Sequence, residues 1–372
     1  MKDRIKVKLD EIDRLFPKER IDKSKERWRR LWAGEPVLDR LPFNTSNIFA
    51  PMYDPILDMD AYLDQLLDEC VYQGRVDNDR IPSLCAGCRQ GTIPGMFGAR
   101  EVIAGAHGED YSNERIIRDS SDIDRLPEPE LKGAAKYWLE IQEHYLNETG
   151  GRIPIHVADM QGPVDVAGKL WGYEKLWIAA CTEPESYHKL LEKTTRAFLT
   201  LWNAQMDAIG KDLFVGTHLT LSDWVPLSAG ASVSVDSMVM ISEGFFEEFF
   251  TPYLEAIGDA TGGYTVHSCG NFSNVMRAIG RGRGARGVHA SEMSVASLVE
   301  AGIDTGLVMI TYADAGGAEG MFRFIRDNGL KAAPSINVWP QNERAGKPWL
   351  WTEGDWDTAR ETCERVKGFT YA

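Results

Sequence analysis

Apolar positions along the chain follow two periods that alternate. Between residues 184 and 209, Tyr187, Leu190, Leu191, Phe198, Leu201 and Trp202 recur at spacings of three, four and seven, which predicts one buried helix face. Pro184 suits the first helical turn and Gly210 the C-terminal cap. A second amphipathic helix carries Phe246, Phe249, Phe250, Tyr253 and Leu254, with Ser242 as its N-cap. Short apolar runs lie between such segments: Leu41 to Asn44, Ile153 to Val157, Leu213 to Val215, Tyr264 to Val266, Gly287 to His289, Leu307 to Ile310 and Ser335 to Val338. Strands that alternate with helices predict a parallel sheet with helices outside. About seven or eight such units predict a closed (β/α)8 barrel of the TIM class rather than an open doubly wound sheet. No G-x-G-x-x-G follows a strand and no P-loop is present, which weakens the open-sheet alternative. Residues 1–38 read as a charged helical extension, and about 45–125 as a long irregular excursion rich in Gly, Pro and Asp. All 372 residues are expected to form a single barrel domain.

Composition narrows the partners. Hydrophobic residues make up 43% of the chain, enough for a large core. The net charge of −15 argues against nucleic acid or an anionic membrane as partner. The charged N-terminus has no apolar h-region, and no run of about 18 apolar residues follows, so a signal peptide and a spanning helix are not expected. Six cysteines without disulfide-framework spacing point to a reducing, cytoplasmic setting.

The sharpest chemical feature is His267-Ser268-Cys269-Gly270-Asn271, directly after the strand Tyr264-Thr265-Val266. Residues just past a barrel strand's C-terminal end form the active-site face. In extended chain, residues two apart project to one side, so His267 and Cys269 can share a metal ion. Imidazole with thiolate favours zinc over magnesium or calcium. The same pattern also fits a strand-end histidine followed by a small buried thiol. A catalytic zinc takes three protein ligands, and two alone leave the set incomplete.

The sequence resembles the uroporphyrinogen decarboxylase superfamily over nearly its whole length. The resemblance rests on four segments in order. Lys25-Glu26-Arg27-Trp28 through Asp39-Arg40-Leu41-Pro42 resembles the family's opening, and Gln161-Gly162-Pro163 through Gly172-Tyr173-Glu174 its G-P…G-x-E segment. Ile241-Ser242-Glu243 through Pro252-Tyr253 resembles its I-S…F…P-Y helix, and His267 to Asn271 its H-x-C-G-N element. True decarboxylases of the family bind substrate carboxylates with an arginine-rich segment after the first strand. This chain has no arginine from 41 to 74. The His-x-Cys element instead resembles the corrinoid-linked methyltransferase branch. That resemblance implies a zinc-dependent methyltransferase moving a methyl group between a methylated small molecule or corrinoid and a thiol or corrinoid acceptor. It also implies a corrinoid on a separate protein, and a homodimer. The alternative is a metal-free decarboxylase-type lyase acting on a small carboxylic acid. The methyltransferase branch commonly supplies a second cysteine near the last strand, where this chain has Pro334-Ser335-Ile336-Asn337.

Glu292 is therefore the expected third zinc ligand, although a solvated loop carboxylate would look the same. Asp159, at a predicted strand end, joins His267 and Cys269 as a catalytic candidate, with a turn-capping role as its alternative. Asn44, Asp223, Asp236 and Asn337 are expected to line the substrate pocket. Cys85 and Cys88 form a single C-x-x-C with no second pair, which excludes a zinc ribbon. Cys363 shares an apolar helix face with Trp356, Ala359 and Val366 and reads as core. His156 and His218 fit strand-end histidines satisfied by backbone as well as they fit ligands.

Overall fold

The computed structural model describes residues 2–37, 39–46, 58–87, 91–104, 110–217, 224–337 and 353–370. Strands are β1 (Asn44–Ser46), β2 (Leu84–Cys85), β3 (Glu101–Ala104), β4 (Asp110–Asn113), β5 (Ile155–Val157), β6 (Phe214–Thr217), β7 (Ala231–Ser234), β8 (Tyr264–Ser268), β9 (Ala285–Ala290), β10 (Val308–Asp314) and β11 (Ala332–Asn337). Six of them pair in the order β1-β11-β10-β9-β8-β7, and three more in the order β2-β5-β6, every pair parallel. A parallel bridge between Gln161 and Ser234 links the two ladders on one side. On the other side Asp79 N donates to Phe43 O at 2.9 Å, tying the approach to β2 against the approach to β1. The result is the α/β barrel that the alternating periods predict, with β3 and β4 as an antiparallel hairpin outside it.

Register sorts the strand residues by face, because paired residues in a parallel ladder point to the same side. Val233, Val266, Val288, Met309, Ala332 and Ile336 join the large core cluster with the helices. The alternate positions form the other face. Ser234, His267, His289 and Ile310 follow one another through the pairing from β7 to β10, and Tyr312, two residues after Ile310, continues through Ser335 to Asn44. On that inner face, toward the N-terminal strand ends, Val308, Ile310 and Ala333 pack against Trp28, Leu31 and Val37. Trp28 and Leu31 belong to the helix Lys18–Ala33, whose Trp32 ring lies 3.3 Å from where a Cβ on Gly287 would stand. The charged N-terminal extension thus closes the lower end of the barrel with an apolar plug, and Trp28 Nε1 donates to Asp79 O at 2.9 Å. Burying Trp28 fully and Trp32 in part stabilises the extension by roughly a few kcal/mol, at about 25 cal/mol per Å² of apolar surface.

Local expectations are met where periodicity is strong. The long helix spans Pro184–Ile209 and is followed by Gly210 at φ +78°. Ser242 caps the next helix, accepting from Phe245 N at 3.3 Å. That second helix is broken, into Glu243–Phe249 and Thr251–Thr261, with Pro252 opening the second part. A proline cannot donate the bond that would continue the first helix. The stretch expected to be irregular contains a helix, Met59–Gly74, capped by Asp58 and burying Tyr62, Leu63, Leu67 and Cys70. The first strand starts at Asn44, later than its apolar run suggests. Strand β7, of sequence Ala-Ser-Val-Ser, carries too little apolar signal to be read, yet all four residues are buried. Among the described residues, no helix is long and apolar enough to cross a membrane.

Candidate metal centre

Strand β8 delivers His267 near its C-terminal end, 5% exposed, and Cys269 just past it at the exposed rim. Gly270 follows at φ +84°, a left-handed conformation that turns the chain away and favours glycine. The neighbouring strand β7 leads into a short 3-10 helix, Asp236–Met240, whose first residue faces the pair. Asp236 Oδ1 accepts from Cys269 N at 3.0 Å, and Ser234 Oγ donates to Asp236 Oδ2 at 3.3 Å. Sγ of Cys269 lies 3.5 Å from Nε2 of His267, and Oδ1 of Asp236 lies 4.0 Å from the same nitrogen. One ligand atom from each of the three residues falls within 4.8 Å of the others. Nitrogen and sulfur bound tetrahedrally to zinc at ~2.0 and ~2.3 Å stand roughly 3.5 Å apart. The imidazole–thiol spacing meets that requirement without movement, and the carboxylate needs a shift of roughly half an ångström.

Electrostatics favour a cation at this point. The Cys269 thiol is pushed up from its usual range, first by partial burial and then by the Asp236 carboxylate. Glu292 and Asp159 push in the same direction, while a contact with Ser291 opposes them. A thiol beside three carboxylates is poorly ionised by itself, and a divalent cation reverses that balance.

Asp236 owes its position to Asp165, a residue that the sequence reading did not single out. Asp165 is fully buried in the first turn of the helix Pro163–Trp171. It accepts from Asp236 N at 2.6 Å and from Ser237 N at 3.2 Å. Burial, and then the charge of Asp236, push its carboxyl up to about 6. The available signal was an acidic side chain two residues after Gly162-Pro163, where a helix starts and a carboxylate is favoured. Asp165→Ala should leave two loop N–H groups without an acceptor and lower unfolding stability by roughly 1–3 kcal/mol. A urea melt with an unshifted midpoint would show that the loop is held by other means.

The remaining sequence candidates divide by position. Asp236, expected in the pocket lining, is the third member of the cluster, whereas Glu292 is exposed and outside it. Asp159 is buried just beyond β5, its Oδ2 accepting from Gln161 Nε2 at 3.4 Å. Asn44 and Asn337 are buried on the inner face that carries His267. His156 is turned elsewhere, with Nδ1 3.1 Å from Thr217 O and Nε2 2.9 Å from Ser83 Oγ. Cys85 and Cys363 are buried thiols, each pushed up to about 12 by desolvation. Asp223, His218 and Cys88 lie outside the described residues.

Residues 92–298 match the family described as Uroporphyrinogen decarboxylase (URO-D). That span contains Asp159, Asp165, Asp236, His267, Cys269 and Glu292. No curated protein matches the sequence. Among solved structures, a methyltransferase from Methanosarcina mazei superposes with a TM-score of 0.67 at 15% identity, covering 92% of this chain and 98% of that one. A likeness at that identity is a likeness of fold.

Proposed function

Since the chain belongs to the uroporphyrinogen decarboxylase family, matched over more than half its length, we propose that it is a zinc-dependent methyltransferase of that family. The observation that carries the reading is the Asp236, His267 and Cys269 cluster, with its 3.5 Å imidazole–thiol spacing at the C-terminal end of β8. The name of the Methanosarcina mazei structure agrees with it. Zinc held there would supply a lowered thiol pKa, so that an acceptor thiol is present as its thiolate at neutral pH. With a methylated corrinoid as donor, the acceptor sulfur would take the methyl carbon as the carbon–cobalt bond broke, the bonding pair would remain with the corrinoid, and the thiol proton would go to solvent. The chain's own residues hold the site. His267 and Asp236 present ligand atoms, Asp165 fixes the Asp236 loop, and Asn44, Asp159 and Asn337 offer polar groups for orienting a small substrate.

A separate corrinoid protein, or free cobalamin, is the expected methyl carrier. Methylcobalamin and cob(I)alamin differ in visible absorbance, so zinc-loaded protein offered a panel of thiols tests the reading directly. Demethylation that depends on the protein supports it; purified protein that neither contains nor takes up zinc sinks it.

Decarboxylation of a porphyrinogen, the reaction after which the family is named, is not expected. A substrate with many carboxylates needs charged partners, and no arginine occurs between 41 and 74. Of the arginines around that stretch, Arg40 is bound to Asp77 and Asp79 and Arg80 to Glu69, while Arg75 lies over the Tyr72 ring. Incubation with uroporphyrinogen should yield no coproporphyrinogen, and its appearance would favour the lyase reading.

A further inference from the structure

The inner face of the barrel holds a hydrogen-bonded chain that the cluster of three does not include. His267 and His289 are direct partners in the β8–β9 register, and His289 is in turn opposite Ile310 of β10, two residues before Tyr312. Side chains two apart on a strand share a face, so the three rings line up across three adjacent strands. Nδ1 of His267 lies 2.9 Å from Nδ1 of His289, and Nε2 of His289 lies 2.8 Å from the Tyr312 hydroxyl. The two histidines are 5% and 3% exposed, with ring centroids 4.6 Å apart.

Two nitrogens facing each other need one proton between them, and this chain can run in two directions. In one, the Tyr312 hydroxyl donates to His289 Nε2 and His289 Nδ1–H donates to His267 Nδ1. The neutral His267 then carries its proton on Nε2, aimed at Cys269 Sγ 3.5 Å away, and has no lone pair for a cation. In the other, His267 Nδ1–H donates to His289 Nδ1, and His289 Nε2–H donates to the Tyr312 oxygen. The lone pair of His267 Nε2 then faces Asp236 and Cys269. Only the second direction is compatible with a metal at the cluster, because a neutral imidazole ligates through an unprotonated nitrogen.

We propose that His289 is a positioning residue that holds His267 in its Nδ1–H tautomer, with the Tyr312 oxygen accepting from His289 Nε2–H, and so sets the affinity of the site for zinc. The inference rests on the zinc reading above. Partners on the far nitrogen of a ligating histidine fix its ring and tautomer, and their loss costs roughly 10–100-fold in metal affinity. No carboxylate or backbone carbonyl is needed for that task here, since His289 supplies the acceptor.

The test compares zinc affinity, by competition with a chromophoric chelator, in wild type, His289→Leu and His289→Asn. Leucine offers His267 no acceptor and should weaken zinc binding roughly 10–100-fold. The asparagine amide oxygen can take the place of Nδ1, and His289→Asn should recover most of that loss. Should His289→Leu fail to fold, His289→Gln, whose amide reaches toward Tyr312 rather than His267, replaces it with the same expectation. Histidine 15N spectra of the zinc-loaded wild type should show the proton of His267 on Nδ1 and that of His289 on Nε2. If wild type binds zinc and Cys269→Ser does not, while His289→Leu binds as tightly as wild type, the positioning role is overturned and the zinc reading stands. A proton found on His267 Nε2 in zinc-loaded protein has the same consequence. Failure of wild type to bind zinc overturns both.

Discussion

His267→Ala should lower corrinoid-dependent methyl transfer by about a thousandfold or more, because it removes the ligand common to both short contacts in the cluster. Nε2 of His267 is the atom 3.5 Å from Cys269 Sγ and 4.0 Å from Asp236 Oδ1. Without it, the remaining thiol and carboxylate lack the third ligand of a catalytic zinc site. The measurement is the rate of methylcobalamin demethylation with whichever thiol the wild type accepts. The side chain lies on the polar inner face of the strands, away from the large helix-facing core cluster, so the variant should fold. An unchanged rate with an active substrate would remove the metal from the reaction.

Cys269→Ser should drop the zinc content from about one ion per chain to near zero while the thermal midpoint moves little. Serine keeps the shape of the side chain but replaces a soft thiolate with a hydroxyl that does not ionise at neutral pH. The residue stands at the exposed rim, and its backbone N–H bond to Asp236 survives the change. Elemental analysis of protein purified without chelators gives the answer. Full zinc retention would exclude Cys269 as a ligand. Unfolding would identify it as a structural thiol, the other pattern that the His-x-Cys spacing fits.

Much of this protein is determined within short windows of sequence. The helix Pro184–Ile209 is legible because its apolar spacing, its opening proline and its closing glycine all agree. The barrel follows from the alternation of periods, and the His267–Cys269 pair from strand geometry alone, since two residues in extended chain need no distant information to share a side. Cys363 is legible as core for a similar reason, its helix face being apolar at Trp356, Ala359 and Val366. Other features depend on which strands become neighbours. Asp236 meets Cys269 across 33 positions because β7 and β8 pair with Ser234 opposite His267. Neither residue's local sequence encodes that register. Asp165 reaches Asp236 across 71 positions, through a helix start that only barrel closure brings to the mouth. The chain from His267 through His289 to Tyr312 needs three strands in register at once. Local sequence thus set the His267–Cys269 pair and the strand that bears it. Long-range pairing alone decided the third group at the cluster, because a parallel ladder joins residues that the chain keeps far apart.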